Sequence, residues 1–201
     1  MAREFPAGIL TISDKGSQGT RVDESGKTAA SLLHGQGFTV VQTKIVPDDR
    51  QQIAGTLAEW VDKDCLALIV TSGGTGLSPR DVTPQAMKDV IDFEVPGMAE
   101  AMRAESLKKT PHAMISRAMV GVRKQCLIIN LPGSPGGVRD NLSVVLPALP
   151  AGWRFQSLRD LPGSKNIFTA MAWGIITAVL PALNKSHNFS AGLAVAFVFT
   201  F

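Results

Sequence analysis

Cys65-Leu-Ala-Leu-Ile-Val70 runs straight into Thr71-Ser-Gly-Gly-Thr-Gly-Leu-Ser-Pro-Arg-Asp-Val-Thr-Pro84, and this join decides the fold. The first half is apolar without alternation, the pattern of a strand covered on both faces. The second half puts glycines and hydroxyl side chains where that strand ends. In open α/β sheets, ligands bind just outside the carboxyl ends of strands. Glycines let backbone N–H groups approach an anion, and Ser and Thr add hydroxyl donors. Arg80 and Asp81 then supply one cation and one carboxylate. The stretch predicts a site for a phosphorylated ligand with a metal.

The same design recurs twice. Gln125-Cys-Leu-Ile-Ile-Asn-Leu131 leads into Pro132-Gly-Ser-Pro-Gly-Gly137, and Ala7-Gly-Ile-Leu-Thr-Ile12 leads into Ser13-Asp14-Lys15-Gly16. Between these runs the chain alternates. A strand is expected at 7–13, then a helix at 24–36 capped by Asp23 or Ser25 and ended by Gly35 and Gly37. A strand at 38–46 stops at Pro47, and Asp48-Asp49 open a helix to Asp62. A strand at 65–71, helices at 84–92 and 97–108, a strand at 125–131 and a helix at 137–149 follow. This order predicts an α/β fold: a three-layer sandwich of a mostly parallel sheet with helices on both faces. Right-handed crossovers gather the strand ends on one edge, so the three loops should converge there. Gly26-Lys27-Thr28 imitates the end of a phosphate-binding P-loop, but that motif needs Gly at position 21, which is Arg.

Composition narrows the function. The chain of 201 residues carries a net charge of +3, with scattered cations and no basic cluster interleaved with aromatics. Nucleic-acid binding has little support. Cys65 and Cys126 each open a strand run and read as free, buried thiols of a reducing compartment. Met1-Ala-Arg-Glu-Phe-Pro6 lacks the apolar core of a secretory signal, which makes the expected location cytoplasmic.

Residues 7 to about 149 resemble the molybdenum-cofactor domain of the MogA/MoaB type, the molybdopterin adenylyltransferases. The matching pieces include Thr11-Ile-Ser-Asp14, Val46-Pro-Asp48, Ser72-Gly-Gly-Thr-Gly76, Arg80-Asp-Val-Thr-Pro84, Val95-Pro-Gly-Met98, Ser116-Arg117, Arg123-Lys124 and Asn130-Leu-Pro-Gly-Ser-Pro135. The resemblance implies a domain over 1–150 that adenylylates molybdopterin with Mg²⁺ and ATP, releasing pyrophosphate. It also implies a homotrimer and a partner enzyme that inserts molybdate. A non-catalytic binding or scaffold module of the same fold is the alternative, because fold does not fix function.

Adenylyl transfer needs an anionic nucleophile in line with the α-phosphate, and charge to neutralise the phosphate oxygens. Mg²⁺ is held by one or two carboxylates plus substrate phosphates. Asp48 and Asp81 match the family's essential aspartates and are the catalytic and metal candidates. Asp48 could instead cap the following helix, and Asp81 could simply neighbour Arg80. Asp49 reads as an ordinary first-turn carboxylate. Gly73, Gly74, Thr75 and Gly76 would line the nucleotide, with Ser13 and Asp14 facing the same pocket by resemblance. Asn130, Pro132, Gly133 and Ser134 match the family's last-strand loop, and Ser116 matches a serine on the pterin side. Arg117, Arg123 and Lys124 would meet the pterin phosphate or form a solvated basic face. His34 and His112 read as structural.

Residues 151–201 lie outside the resemblance. Ile167 to Leu183 has no charged residue, and Phe189 to Phe201 is apolar again. Each run is shorter than the roughly 20 residues of a spanning helix. Arg154, Arg159 and Lys165 precede the first run, the flank of a segment whose N-terminal side is cytoplasmic. Arg159-Asp-Leu-Pro-Gly163 and the run after it resemble, over a short stretch, part of a polytopic membrane prenyltransferase. Membrane association through 167–201, a fusion remnant and a buried terminal hairpin are the readings left open.

Overall fold

The computed structural model describes residues 5–149. Six strands form one sheet in the order β2-β1-β3-β6-β5-β4. They are β1 (Phe5–Ile12), β2 (Phe38–Val46), β3 (Leu68–Ser72), β4 (Phe93–Glu94), β5 (Val120–Arg123) and β6 (Cys126–Leu131). β2, β1, β3 and β6 pair in parallel, while β5 runs antiparallel to both β6 and β4. The helices are α1 (Asp14–Ser17), α2 (Glu24–Leu33), α3 (Arg50–Asp62), α4 (Thr83–Lys88), α5 (Pro96–Leu107) and α6 (Pro135–Val145), with 3-10 turns at Pro111–Ile115 and Leu146–Ala148. The expected three-layer sandwich is therefore present.

Both faces of the sheet are covered, which is why β3 and β6 read as continuous apolar runs. Leu10, Ile69 and Ile128 pack with Ile53, Leu57 and Trp60 of α3 and Met87 of α4. Because side chains alternate along a strand, Ile9, Val70 and Ile129 face the opposite way. That second face meets α2 and α6, whose Leu33, Val138 and Leu142 are fully buried. Gly8 admits α3 closely: a Cβ there would lie 2.7 Å from Leu66 Cδ1 and from the Trp60 ring. The β1–β2 register shifts between Ala7 and Gly8.

Several boundaries differ from the sequence expectation. Cys65 is exposed, not buried. It adopts φ +53° in the turn between α3 and β3, so the strand starts at Leu68. Cys126 is buried, and desolvation pushes its thiol up to about 12. Asp23, not Ser25, caps α2 by accepting from Gly26 N. Ser134 caps α6 and Pro135 occupies its first turn, so that helix starts before 137. β4 and β5 have no counterpart among the expected strands. β5 is joined to β6 by the two-residue turn Lys124-Gln125, with Lys124 at φ +54°. The readings of residues 151–201, including membrane association of 167–201, fall outside the described residues. Among the described residues no helix is long and apolar enough to cross a membrane.

Candidate functional site

The ends of β1, β2, β3 and β6 place their loops around one cavity of about 550 Å³. Parallel strands make this necessary, since each carboxyl end opens onto the same edge. Ser13, Asp48, Gly73, Gly74, Thr75, Gly76, Asp81, Gly133 and Ser134 all line it. The turn after β3 is set by backbone geometry. Gly73 has φ +111° and Gly74 φ +62°, both left-handed. A Cβ on Gly73 would lie 2.3 Å from Ile12 O, and one on Gly74 would lie 2.1 Å from Thr83 Oγ1. The β3 and β6 loops touch: Gly73 N donates to Leu131 O at 3.0 Å, and a Cβ on Gly133 would approach Gly73 Cα to 3.3 Å.

Asp14 and Asp48 form a reciprocal pair. Asp14 N donates to Asp48 Oδ2 and Asp48 N to Asp14 Oδ1, each at 3.0 Å. The pair ties the β1 loop to the β2 loop and brings two carboxylates together. Arg80 Nη2 donates to both oxygens of Asp14 at 2.7 Å. Bonding from Arg80 and the Asp48 N–H holds the Asp14 carboxyl below its usual range. Asp48 goes the other way: burial raises it most, and the charges of Asp14 and Asp81 add to the rise. Asp49 is the N-cap of α3, accepting from Gln52 N at 2.8 Å. This corrects the capping alternative for Asp48 and the first-turn reading of Asp49: capping belongs to Asp49, and Asp48 lines the cavity.

Asp81 Oδ2 accepts from Ser78 N at 2.9 Å, and a Cβ on Gly76 would lie 2.9 Å from that oxygen. Gly76 is thus the residue that gives this carboxylate room. The neighbouring donors are all oxygens, and Asp23 and Glu24 add further carboxylates to the lining. Arg21 adds a cation to it. An oxygen-only carboxylate set of this kind is chemically suited to a hard divalent cation such as Mg²⁺. Among the described residues no group of three or more His, Cys, Asp or Glu converges on a metal position. Asp48 and Asp81 are two carboxylates of the lining that could contribute to such a site.

A second cavity of about 410 Å³ adjoins the first and shares Thr75, Gly76 and Ser134 with it. Ser116 and Pro132 line this one, together with Arg103, Lys109 and His112. Lys109 is paired with Asp140 at 2.5 Å. Two of the expected residues line neither cavity. Asp14 lies in its ion pair with Arg80. Asn130 is fully buried, and its Nδ2 donates to Thr71 Oγ1 at 2.9 Å and Gly73 O at 3.3 Å. It shapes the glycine turn from behind.

The three cations offered for a phosphate are used otherwise. Arg123 and Lys124 lie at the β5–β6 turn and bind Asp62. Arg117 donates to backbone carbonyls of the 75–81 loop. Sequence reasoning missed the α2 N-terminus, where Thr11 and Ser25 hydroxyls and Gly26 N all donate to Asp23 and Ser72 donates to Ser25. The signal available was the Asp23 cap itself, which carries no mark of facing a ligand.

Known proteins share this fold and much of this sequence. Residues 8–151 match a family described as "probable molybdopterin binding domain". The gephyrin of Dictyostelium discoideum is 42% identical over 157 residues, which are 73% of this chain and 22% of gephyrin's length. A molybdopterin adenylyltransferase of Helicobacter pylori J99 is 41% identical over 145 residues, 71% of this chain and 82% of that enzyme. The crystal structure of the molybdopterin biosynthesis enzyme MoaB from Thermus thermophilus superposes with TM-score 0.70 at 47% identity, covering 76% of this chain and 99% of that one.

Proposed function

Because the chain belongs to the molybdopterin-binding domain family, we propose that it transfers the adenylyl group of ATP to the phosphate of molybdopterin. The observation that carries this reading is the pair of cavities meeting at Thr75, Gly76 and Ser134. A two-substrate transfer needs two adjoining pockets with the reacting atoms at their shared wall. The nucleotide occupies the larger cavity, at the Gly73–Gly76 turn, and the pterin the smaller one, beside Ser116.

A terminal phosphate oxygen of molybdopterin attacks the α-phosphorus of ATP. A new P–O bond forms, the α–β bridging bond breaks, and pyrophosphate leaves. The Gly73 N–H is taken by Leu131 O, so the N–H groups of Gly74, Thr75 and Gly76 would be the ones to meet the phosphates. Asp48 and Asp81 would hold Mg²⁺, which supplies charge neutralisation on the polyphosphate. Asp14 orients Asp48 through their reciprocal hydrogen bonds and keeps Arg80 beside the nucleotide cavity. A homotrimer, a downstream enzyme that inserts molybdate and a cytoplasmic location belong to the same proposal.

The test is to incubate the chain with molybdopterin, ATP and Mg²⁺ and to follow adenylyl-molybdopterin by mass spectrometry and pyrophosphate by coupled assay. Stoichiometric appearance of both supports the transfer. Molybdopterin binding with neither product would favour a non-catalytic binding module.

A further inference from the structure

One cation near the site touches neither cavity, and its bonds explain why it is there. Three consecutive contacts run from Arg117 to the 75–81 loop. Its backbone N donates to Thr75 O at 2.8 Å, its Nε donates to Gly76 O at 2.7 Å, and its Nη2 donates to Asp81 O. Among the described residues no carboxylate forms an ion pair with it. The loop it grips is rich in glycine and has little stiffness of its own. Asp81 N also donates to Ser78 O at 2.9 Å, and Ser78 N to Asp81 Oδ2 at 2.9 Å. With its N–H, carbonyl and carboxylate all engaged, Asp81 is held in a single direction, towards the larger cavity.

Arg117 is also tied to the smaller cavity. Ser116, immediately before it, lines that cavity, and Ser116 Oγ accepts from Ala118 N at 3.3 Å. Ser116 therefore lines one pocket while the arginine beside it grips the backbone of the residue whose carboxylate lines the other. We infer that Arg117 is a positioning residue that couples the two half-sites, holding Asp81 in its metal-binding direction according to how segment 116–118 is packed. The inference rests on the functional reading above and adds to it the residue through which the second substrate prepares the first. The planar guanidinium suits this geometry because its Nε and Nη2 meet the two carbonyls from fixed positions of one fork, which a point-like ammonium lacks.

The experiment compares the wild-type chain with Arg117→Met and Arg117→Lys, titrating Mg²⁺ at saturating ATP and molybdopterin. Both variants should lose about a hundredfold in kcat, the scale of a small misplacement of a reacting group. Their half-saturating Mg²⁺ concentration should rise about tenfold, as expected when a metal ligand loses its support. The KM for molybdopterin should stay near the wild-type value. In wild type, molybdopterin should tighten binding of Mg²⁺ with a non-hydrolysable ATP analogue, and this coupling should vanish in the variants. If Arg117→Met does not fold, Arg117→Lys carries the test, since it keeps the charge and loses only the fork. Combining Arg117→Lys with Asp81→Asn should be no slower than Asp81→Asn alone.

Unchanged Mg²⁺ dependence in a folded variant overturns the coupling role, whatever happens to stability. A raised KM for molybdopterin with unchanged Mg²⁺ dependence overturns it in favour of direct substrate contact, and so do multiplicative losses in the double variant. A wild-type chain that transfers no AMP overturns the functional reading itself, which separates that failure from failure of the Arg117 role.

Discussion

Asp49 and Asp48 are adjacent and divide their labour by direction. Asp49 accepts from Gln52 N and closes the first turn of α3, while Asp48 turns to the cavity and to Asp14. Asp49→Ala should cost about 1 kcal/mol of stability in urea denaturation, with AMP transfer per folded molecule unchanged. Asp48→Asn and Asp81→Asn should do the reverse, lowering kcat by about 10²–10³ with little change in the urea midpoint. A fully active Asp48→Asn enzyme would remove that residue from the metal site. The raised Asp48 carboxyl has its own consequence, because a metal ligand must be deprotonated. On the acid side, activity at fixed Mg²⁺ should fall at a higher pH than an ordinary aspartate would impose. Added Mg²⁺ should shift that limb to lower pH; a limb independent of Mg²⁺ would contradict the assignment. Gly74 shows a different kind of constraint. Its φ of +62° and the Thr83 hydroxyl 2.1 Å from a Cβ both exclude a side chain. Gly74→Val should abolish ATP binding by calorimetry and cost about 2 kcal/mol or more for the strained backbone. Trimming Thr83 to Ala beside Gly74→Ala should recover part of the stability and none of the left-handed backbone cost.

Among the elements, α3 is strapped to the β5–β6 hairpin by one carboxylate. Arg123 and Lys124 both bind Asp62, and their hydrogen bonds, Arg123's first, depress its pKa to about 2 from an ordinary 3.8. A depressed folded-state value favours the ionised form in the folded chain. The contribution is therefore present above 3.8 and disappears as the pH falls through about 2. Calorimetric Tm values should decline across that window in wild type, and Asp62→Asn should flatten the decline; identical slopes would dismiss the strap. The same hairpin explains what the sequence concealed. β5 is four residues, interrupted by Gly121, and its turn lacks the Asn-Gly or Asp-Gly signature. Pairing with β6 on one side and β4 on the other makes it a strand. Arg123 and Lys124 looked available for a phosphate because nothing local shows that Asp62, from α3, already holds them.

For the molecule as a whole, the described residues by themselves supply the lining of both cavities and a core buried on two faces of the sheet. A chain ending at residue 150 should fold cooperatively and transfer AMP with kcat near that of the full chain. Circular dichroism, thermal melting and the product assay check this. An unfolded truncated chain would show that residues 151–201 complete the core. Fractionation of the full chain against the truncated one tests the membrane reading of 167–201, and equal partition into the soluble fraction would refute it.

The order of residues was enough to dictate the layered α/β class, the edge on which the strand-end loops gather and most of the residues around the cavity. These follow from chain-local signals: unbroken apolar runs, glycines at strand ends and the carboxylates beside them, all gathered by the one-sided geometry of parallel strands. It also carried the family resemblance, which residues 8–151 bear out. How the polar groups are shared out was left to packing. Packing gave the helix cap to Asp49, buried Asn130 behind the glycine turn, exposed Cys65, sent Arg123 and Lys124 to Asp62, and turned Arg117 onto three carbonyls. A side chain's partner depends on which distant backbone comes within about 3 Å of it, and that proximity is a property of the packed chain.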